Sequence, residues 1–256
     1  MRGLQWFNAL SAGAAPVAGL PASLKVADGV LGEQAVRFIA VVTDAQNRFP
    51  RARNGEVGLL EGWGLAKAVE EAIATGDRRP LIAIVDVPSQ AYGRREEALG
   101  IHQALAAAAD SYARARLAGH PVIALLVGKA MSGAFLAHGY QANRLIALRD
   151  PGVMVHAMGK ASAARVTLRS VEELEALAAS VPPMAYDIDS YASLGLLWET
   201  LTVSQIEQPT AQDVARVSDC LVSAIKDIDS RDLSGRLGAT HRAASSHVRQ
   251  LLREQW

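Results

Sequence analysis

The sequence predicts an α/β fold with a mainly parallel sheet and a helical C-terminal region. Three observations carry this. Continuous apolar, β-branched runs stand at Val36–Val42, Leu81–Val87 and Val122–Val127, with a shorter one at Arg144–Leu148; runs of this kind read as strands covered on both faces. Helical patterns lie between them, so strand and helix alternate in steps of about forty residues, which demands crossover connections and parallel pairing. Beyond Ser170 the strand pattern gives way to helix-start signals.

In chain order, Gly13–Ala22 is rich in Gly, Pro and Ala and reads as a loop or as an arm packed on another chain. Gly64–Thr75 is an Ala-rich helix stopping at Gly76, a residue that accepts the left-handed C-terminal conformation. A second helix is expected from about Arg94 to Ala118, ending at Gly119. Ser170 followed by Glu173 is a capping box opening a helix that stops before Pro182 and Pro183. Thr210 with Asp213 opens another, striped by Val214, Val217, Leu221 and Ile225, and a basic helix closes the chain at Arg242–Trp256. One domain over 1–256 is expected: an N-terminal arm over 1–30, the α/β core over 31–165 and a helical part over 166–256.

Composition narrows the chemistry. The 26 basic and 26 acidic side chains cancel, so no global field draws nucleic acid or an anionic membrane, and an acidic partner would have to meet a local patch. A single cysteine, Cys220, excludes an internal disulfide and a thiolate zinc cluster and fits a reducing compartment. It lies on or beside the apolar stripe after Thr210 and reads as a buried thiol. No apolar run approaches the roughly 20 residues of a membrane span, and Met1–Gly13 lacks the layout of a secretory signal, so a cytoplasmic location is expected. The six histidines show no helical ligand pair, so no metal site is expected. Arg242, Arg249 and Arg253 read as a solvated face or as the contact of an acidic partner.

Two strand-to-helix junctions are the candidate sites. The first runs Pro88, Ser89, Gln90, Ala91, Tyr92, Gly93, and the second Gly128, Lys129, Ala130, Met131, Ser132, Gly133, Ala134, Phe135. Unpaired backbone N–H groups at such junctions point beyond the strand ends and can hold an anion or a developing oxyanion, although Gly and Ser there also simply permit a tight turn. The second junction lacks the glycine spacing of a nucleotide-binding P-loop and is not G-x-S-x-G, so Ser132 reads as a small N-cap residue. His156 lies in the apolar segment Val153–Gly159 and reads either as a satisfied core histidine or as an acid/base at a crevice.

These junctions, in this order, resemble the carboxyltransferase branch of the crotonase-like superfamily. Asp86, Pro88, Gly93, Glu97, Gly100 and Ile101 are similar to its D-x-P-x(4)-G-x(3)-E-x(2)-G-I stretch, and Lys129–Phe135 to its K-A-Y-G-G-A-Y stretch. Longer strings, Val41–Pro50, Gly55–Trp63, Asp86–Arg95 and Gly128–Phe135, are most similar to gamma subunits of biotin-independent malonate decarboxylases. The resemblance implies a crotonase-like ββα-spiral core over 31–165. It also implies a reaction, loss of CO2 from a malonyl thioester on an acyl-carrier protein to leave an acetyl thioester. Gly133 and Ala134 are then the oxyanion-hole positions with Ser132 adjacent, and Gln90, Ala91, Tyr92, Gly93, Gly128 and Met131 are candidate substrate contacts. No cofactor is bound by the chain itself; the substrate rides on the phosphopantetheine-type, CoA-derived arm of the carrier. The implied partners are a beta subunit, in a heterodimer or heterotetramer, supplying the other half of the site and most of the thiol-arm pocket, with the carrier protein and an acyltransferase alpha subunit.

A hydratase of the superfamily has catalytic carboxylates near Phe135 and Ala157, both apolar here, so activation of water lacks its general base. Relative to the biotin carboxylase partners, Ser132 replaces the middle glycine and His156 an apolar residue. His156 is expected to help protonate the enolate carbon or to polarise the carboxylate. Two other readings stay open, a carboxyltransferase subunit of a biotin-dependent acyl-CoA carboxylase or decarboxylase, and a non-catalytic scaffold.

Overall fold

The computed structural model describes residues 1–229, 233, 236 and 239–256. Its eight strands are β1 (Ala15–Pro16), β2 (Leu24–Leu31), β3 (Gln34–Val41), β4 (Leu81–Val87), β5 (Val122–Met131), β6 (Arg144–Leu148), β7 (Met154–His156) and β8 (Glu199–Leu201). They form one sheet in the order β1-β2-β3-β4-β5-β6-β8, with β7 also paired to β5. The first three strands are antiparallel and every pairing from β3 onward is parallel. One row crosses the centre, Ile39 beside Ala83, Ala83 beside Ala124 and Ala124 beside Leu145, each shielded from solvent on both faces. That two-sided burial is why these strands read as unbroken apolar runs.

The ten-residue β5 has two uses. Its first half pairs with β6 and its end, Lys129–Met131, pairs with Met154–His156 of β7, which turns the sheet and brings His156 beside the start of the next helix.

Residues 1–30, expected to form an arm, instead belong to the body. Helix α1 (Arg2–Leu10) buries Trp6 completely, with its indole N–H donating to the Ile206 carbonyl at 2.9 Å, and the Gly3 N–H donates to Asp86 at 3.0 Å. Strand β2 then pairs along its whole length with β3. Its alternation is hidden in the sequence by Asp28, whose carboxylate takes the buried Arg37 guanidinium through two bonds of 2.7 and 2.6 Å.

Helix α2 (Leu59–Ala74) starts earlier than expected because Glu61 caps it, accepting the Gly58 N–H at 2.9 Å. The same buried carboxylate accepts Asn47 at 2.7 Å and the Ser23 hydroxyl, so Val41–Pro50 and Gly55–Trp63 meet as a structural network. The expected helix Arg94–Ala118 is two, α3 (Arg94–Ala98) and α4 (Ile101–Leu117). Gly100 separates them at φ +81°, a left-handed turn that a helical hydrophobic pattern does not register. Helices α2 and α4 cross closely at Gly62, where a Cβ would come within 2.8 Å of the Ala104 carbonyl.

The remaining helices are α5 (Ser132–Ala137), α6 (Lys160–Val166), α7 (Val171–Ala178), α8 (Ile188–Ser193), α9 (Ala211–Asp227) and α10 (Ala243–Gln255). The expected caps are present: Ser170 accepts the Glu173 N–H at 3.1 Å, and Thr210 the Asp213 N–H at 3.2 Å. Cys220 packs against the core, and burial pushes its thiol up to about 11, an unreactive state. No helix among the described residues is long and apolar enough to cross a membrane.

His138 makes a testable contribution to stability. Fully buried between the Tyr112 hydroxyl and the Ile84 carbonyl, each at 3.1 Å, it is pushed by burial from 6.5 to about 4. The native state thus binds fewer protons than the unfolded chain between these values, so its contribution is present above 6.5 and lost as pH falls toward 4, worth up to about 3 kcal/mol. The melting temperature is expected to drop over that window, and less steeply in His138→Gln.

Candidate functional site

Helix α5 begins where β5 ends, and its first residues face a cavity of about 350 Å³. Ser132, Gly133 and Leu136 form one wall, His156 and Ala157 another, and Pro182, Pro183 and Tyr191 close the far side. Three of the four expected catalytic residues therefore line one space. The fourth, Ala134, is fully buried one residue further along α5.

Ser132 does not cap α5. It lies in the left-handed region at φ +58°, the helix starts from Met131, and no side-chain cap bond forms. A side chain at such a backbone costs of order 1–3 kcal/mol and is held only by surrounding structure. Here the β5–β7 pairing and the Gly133 contact fix the turn.

The Gly133 N–H is one of the four donors a helix start leaves without a partner in the helix. It donates to Gln90 Oε1 at 2.8 Å. Gln90 thus reaches across from the first junction and places an amide oxygen on the donor. Neither Gln90 nor any other first-junction residue lines the cavity itself. Ala91 is buried with Phe49 and Ile101, Tyr92 is exposed beneath the Arg51 guanidinium at 4.4 Å, and Gly93 is the N-cap of α3. Gly128 lies against Asp86, whose carboxylate accepts the Lys129 N–H at 3.1 Å and would collide with a Cβ there. Met131 packs with Ala163, Leu174 and Tyr186, because successive strand residues face opposite sides.

His156 is half-buried, not a core residue. Its ring stacks on Tyr186 with centroids 3.9 Å apart and planes 14° from parallel. Nδ1 lies 3.0 Å from the Met158 carbonyl oxygen and 3.2 Å from the Met158 N–H. The carbonyl already accepts the Tyr186 hydroxyl at 2.9 Å, so the tautomer that satisfies all of Met158 has Nδ1 as acceptor. That assignment leaves Nε2–H as a donor. Burial lowers the His156 pKa, so the ring is neutral at neutral pH. The site is then an apolar cavity with a backbone donor and a neutral imidazole, suited to a substrate that gathers negative charge on an oxygen.

Tyr186 and Tyr191 carry no motif in the sequence. They reach the site because Val155 N–H donates to the Tyr186 carbonyl at 3.0 Å and Met154 bridges Asp187, which folds 182–194 over β7. Asp187, the N-cap of α8 through Ser190 N–H at 2.8 Å, was the available signal.

Comparison with known proteins gives concordant matches. A family model described as malonate decarboxylase gamma subunit matches residues 52–256. The malonyl-S-ACP:biotin-protein carboxyltransferase MADD of Malonomonas rubra is 33% identical over 230 residues, 86% of this chain and 75% of that protein. A chain in the crystal structure of a Pseudomonas malonate decarboxylase hetero-tetramer in complex with coenzyme A is 73% identical, with a TM-score of 0.95 over 100% of this chain and 99% of that one. A chain of the Pseudomonas MdcD-MdcE hetero-dimer is 69% identical, with a TM-score of 0.91 and the same coverage. The transcarboxylase 12S core, at 20% identity and TM-score 0.64 over 86% of this chain and 39% of that one, shares the fold.

Proposed function

The chain belongs to the malonate decarboxylase gamma-subunit family, and from that premise we propose that it supplies half of a site that decarboxylates a malonyl thioester on an acyl-carrier protein in the cytoplasm. The observation that carries this reading is the Gly133 N–H at the mouth of α5, holding the amide oxygen of Gln90 at 2.8 Å beside the His156 cavity. An amide oxygen is a stand-in for a thioester oxygen. In the reaction the bond between the α-carbon and the carboxylate breaks, CO2 leaves, and the electron pair enters an enolate whose charge rests on the thioester oxygen. That oxygen replaces Gln90 Oε1 on Gly133, with the Ala134 N–H one residue further along, and a proton then enters at the α-carbon to give the acetyl thioester.

In this reading His156 Nε2–H donates to the departing carboxylate or to the enolate. A neutral imidazole donor polarises oxygen without placing a competing acid in the site. His156→Phe keeps the stack on Tyr186 and removes the donor. Its kcat in the assembled enzyme is expected to fall about tenfold to a hundredfold, in line with a hydrogen bond to a charged group of ~1.5–3 kcal/mol. An unchanged kcat would remove the role.

A beta subunit completes the site in this account, a reading supported by the MdcD-MdcE hetero-dimer in which a 69% identical chain was crystallised. Leu136 on α5, Val166 at the end of α6 and Leu168 just beyond it are exposed by 53%, 68% and 93%, an apolar rim a second chain can cover. Leu168→Asp is expected to weaken association tenfold or more, about 1.4 kcal/mol, while leaving the fold intact, since Leu168 already holds φ +56°, which Asp tolerates better. Analytical ultracentrifugation of the two chains measures this. The carrier protein and an acyltransferase alpha subunit are the further partners of this reading.

The similarity to MADD favours one other reading, carboxyl transfer to a biotin protein. CO2 release that avidin does not inhibit supports the decarboxylase; avidin-sensitive turnover supports the transferase.

A further inference from the structure

Tyr186 stands behind His156 and does not line its cavity. Its ring stacks on the imidazole with centroids 3.9 Å apart, yet it lines a different space, of about 320 Å³, with Met154, Lys160 and Asp187. It therefore acts on a bound substrate only through His156. Contacts that do not use the hydroxyl fix the residue in place. The Tyr186 carbonyl accepts the Val155 N–H at 3.0 Å, and the side chain packs with Met131, Ala163 and Leu174. Lys160 Nζ, itself bound to Glu175 at 2.6 Å, sits 5.5 Å from the ring centroid. The hydroxyl has one partner, the Met158 carbonyl at 2.9 Å, and burial raises the Tyr186 pKa, so the hydroxyl keeps the proton it donates there.

Met158 presents both of its backbone groups to one ring nitrogen. Nδ1 of His156 is 3.0 Å from the Met158 oxygen and 3.2 Å from the Met158 nitrogen, and it can serve only one of them. With a proton on Nδ1, the ring donates to the carbonyl and the Met158 N–H is left facing another hydrogen. With Nδ1 bare, the N–H is satisfied and the carbonyl depends on a second donor. Tyr186 is that donor. While its hydroxyl is present, only the Nδ1–H form leaves a backbone group unpaired, which disfavours that form by about fivefold to a hundredfold. Without the hydroxyl each form leaves one group unpaired, and the two approach parity.

We propose that Tyr186 is a positioning residue whose hydroxyl, by occupying the Met158 carbonyl, holds the His156 proton on Nε2, the ring nitrogen left for a substrate oxygen. The effect on turnover rests on the decarboxylase reading above, whereas the tautomer is measured without turnover.

The experiment is two-bond 1H–15N correlation of 15N-histidine side chains in the assembled gamma–beta complex, at neutral pH, where the burial-lowered pKa leaves the His156 ring neutral. The native chain is compared with Tyr186→Phe, and the His156 signals are identified by their loss in His156→Phe. Phenylalanine keeps the ring and its stack and removes only the hydroxyl. Native His156 is expected to show Nδ1 in the unprotonated range and Nε2 in the protonated one. In Tyr186→Phe the Nδ1–H form is expected to rise from a minor species to about half or more. For malonyl-S-carrier protein, kcat/KM is expected to fall by the factor by which the Nε2–H form is depleted, about twofold or more. A native ring carrying its proton on Nδ1 overturns the proposal without any variant, and so do unchanged tautomer populations in a Tyr186→Phe complex that assembles. Shifted populations with kcat/KM unchanged sustain the role of Tyr186 in placing the proton and count instead against His156 as the donor of the decarboxylase reading.

Discussion

Gly133→Pro in the assembled gamma–beta enzyme is expected to lower kcat by about 10²–10³, the cost of ~2.7–4 kcal/mol that accompanies loss of one oxyanion donor. Gly133 is the second residue of α5, where the lost N–H has no partner within the helix, while proline there also presses on the left-handed Ser132 before it, so the result is read only on complexes that assemble. The bond it removes is the one to oxygen, now made to Gln90 at 2.8 Å. Gly133→Ala is the control. Its Cβ would stand 3.3 Å from Gln90 Oε1, the end of a flexible side chain, and the N–H remains, so activity is expected to stay within about threefold of native. Steady-state CO2 release, with assembly verified for each variant, measures both.

The other large effect is expected from Gln90→Glu. In the proposed reaction the enolate oxygen forms where Gln90 Oε1 now accepts the Gly133 N–H. A carboxylate there accepts the Gly133 N–H more strongly than an amide does and puts a negative charge where negative charge must develop. Two unit charges 4 Å apart at an effective dielectric near 20 repel by about 4 kcal/mol, so a loss of roughly 10²-fold or more in kcat/KM is expected. Gln90→Ala removes the placeholder and leaves the donor free; its kcat/KM is expected to match or exceed that of the native enzyme. A large loss in Gln90→Ala would make the side chain a required substrate contact instead.

The central strands were legible because burial on both faces leaves continuous apolar runs. Strand β2 was not, because Asp28 and Gly29 interrupt its pattern and the reason for Asp28, the buried Arg37, lies on the neighbouring strand. The break at Gly100 and the left-handed turn at Ser132 are backbone events. A helical pattern continues through Gly100 unbroken, and a serine at a strand-to-helix junction has the composition of an N-cap whatever its φ. Of the site, the junction glycine and His156 were reachable through the resemblance. Their meeting depends on β7 pairing with the end of β5, and the tyrosine wall on residues 182–194 folding back over β7, contacts between segments with no shared motif. Met131 and Gly128 shared the motif but do not line the cavity, because Met131 packs with Ala163, Leu174 and Tyr186 and Gly128 lies against Asp86, contacts with segments far away in the sequence.

The most direct test of the half-site account is CO2 release from a malonyl-S-carrier protein by the beta subunit as this chain is titrated in, with biotin absent and avidin present. The account predicts negligible release by either chain alone, release that rises to saturation at equimolar chains, and loss of that release when the titrated chain carries Gly133→Pro yet still assembles. Full release by the beta subunit alone, or native release by the Gly133→Pro complex, would contradict it and leave this chain a scaffold.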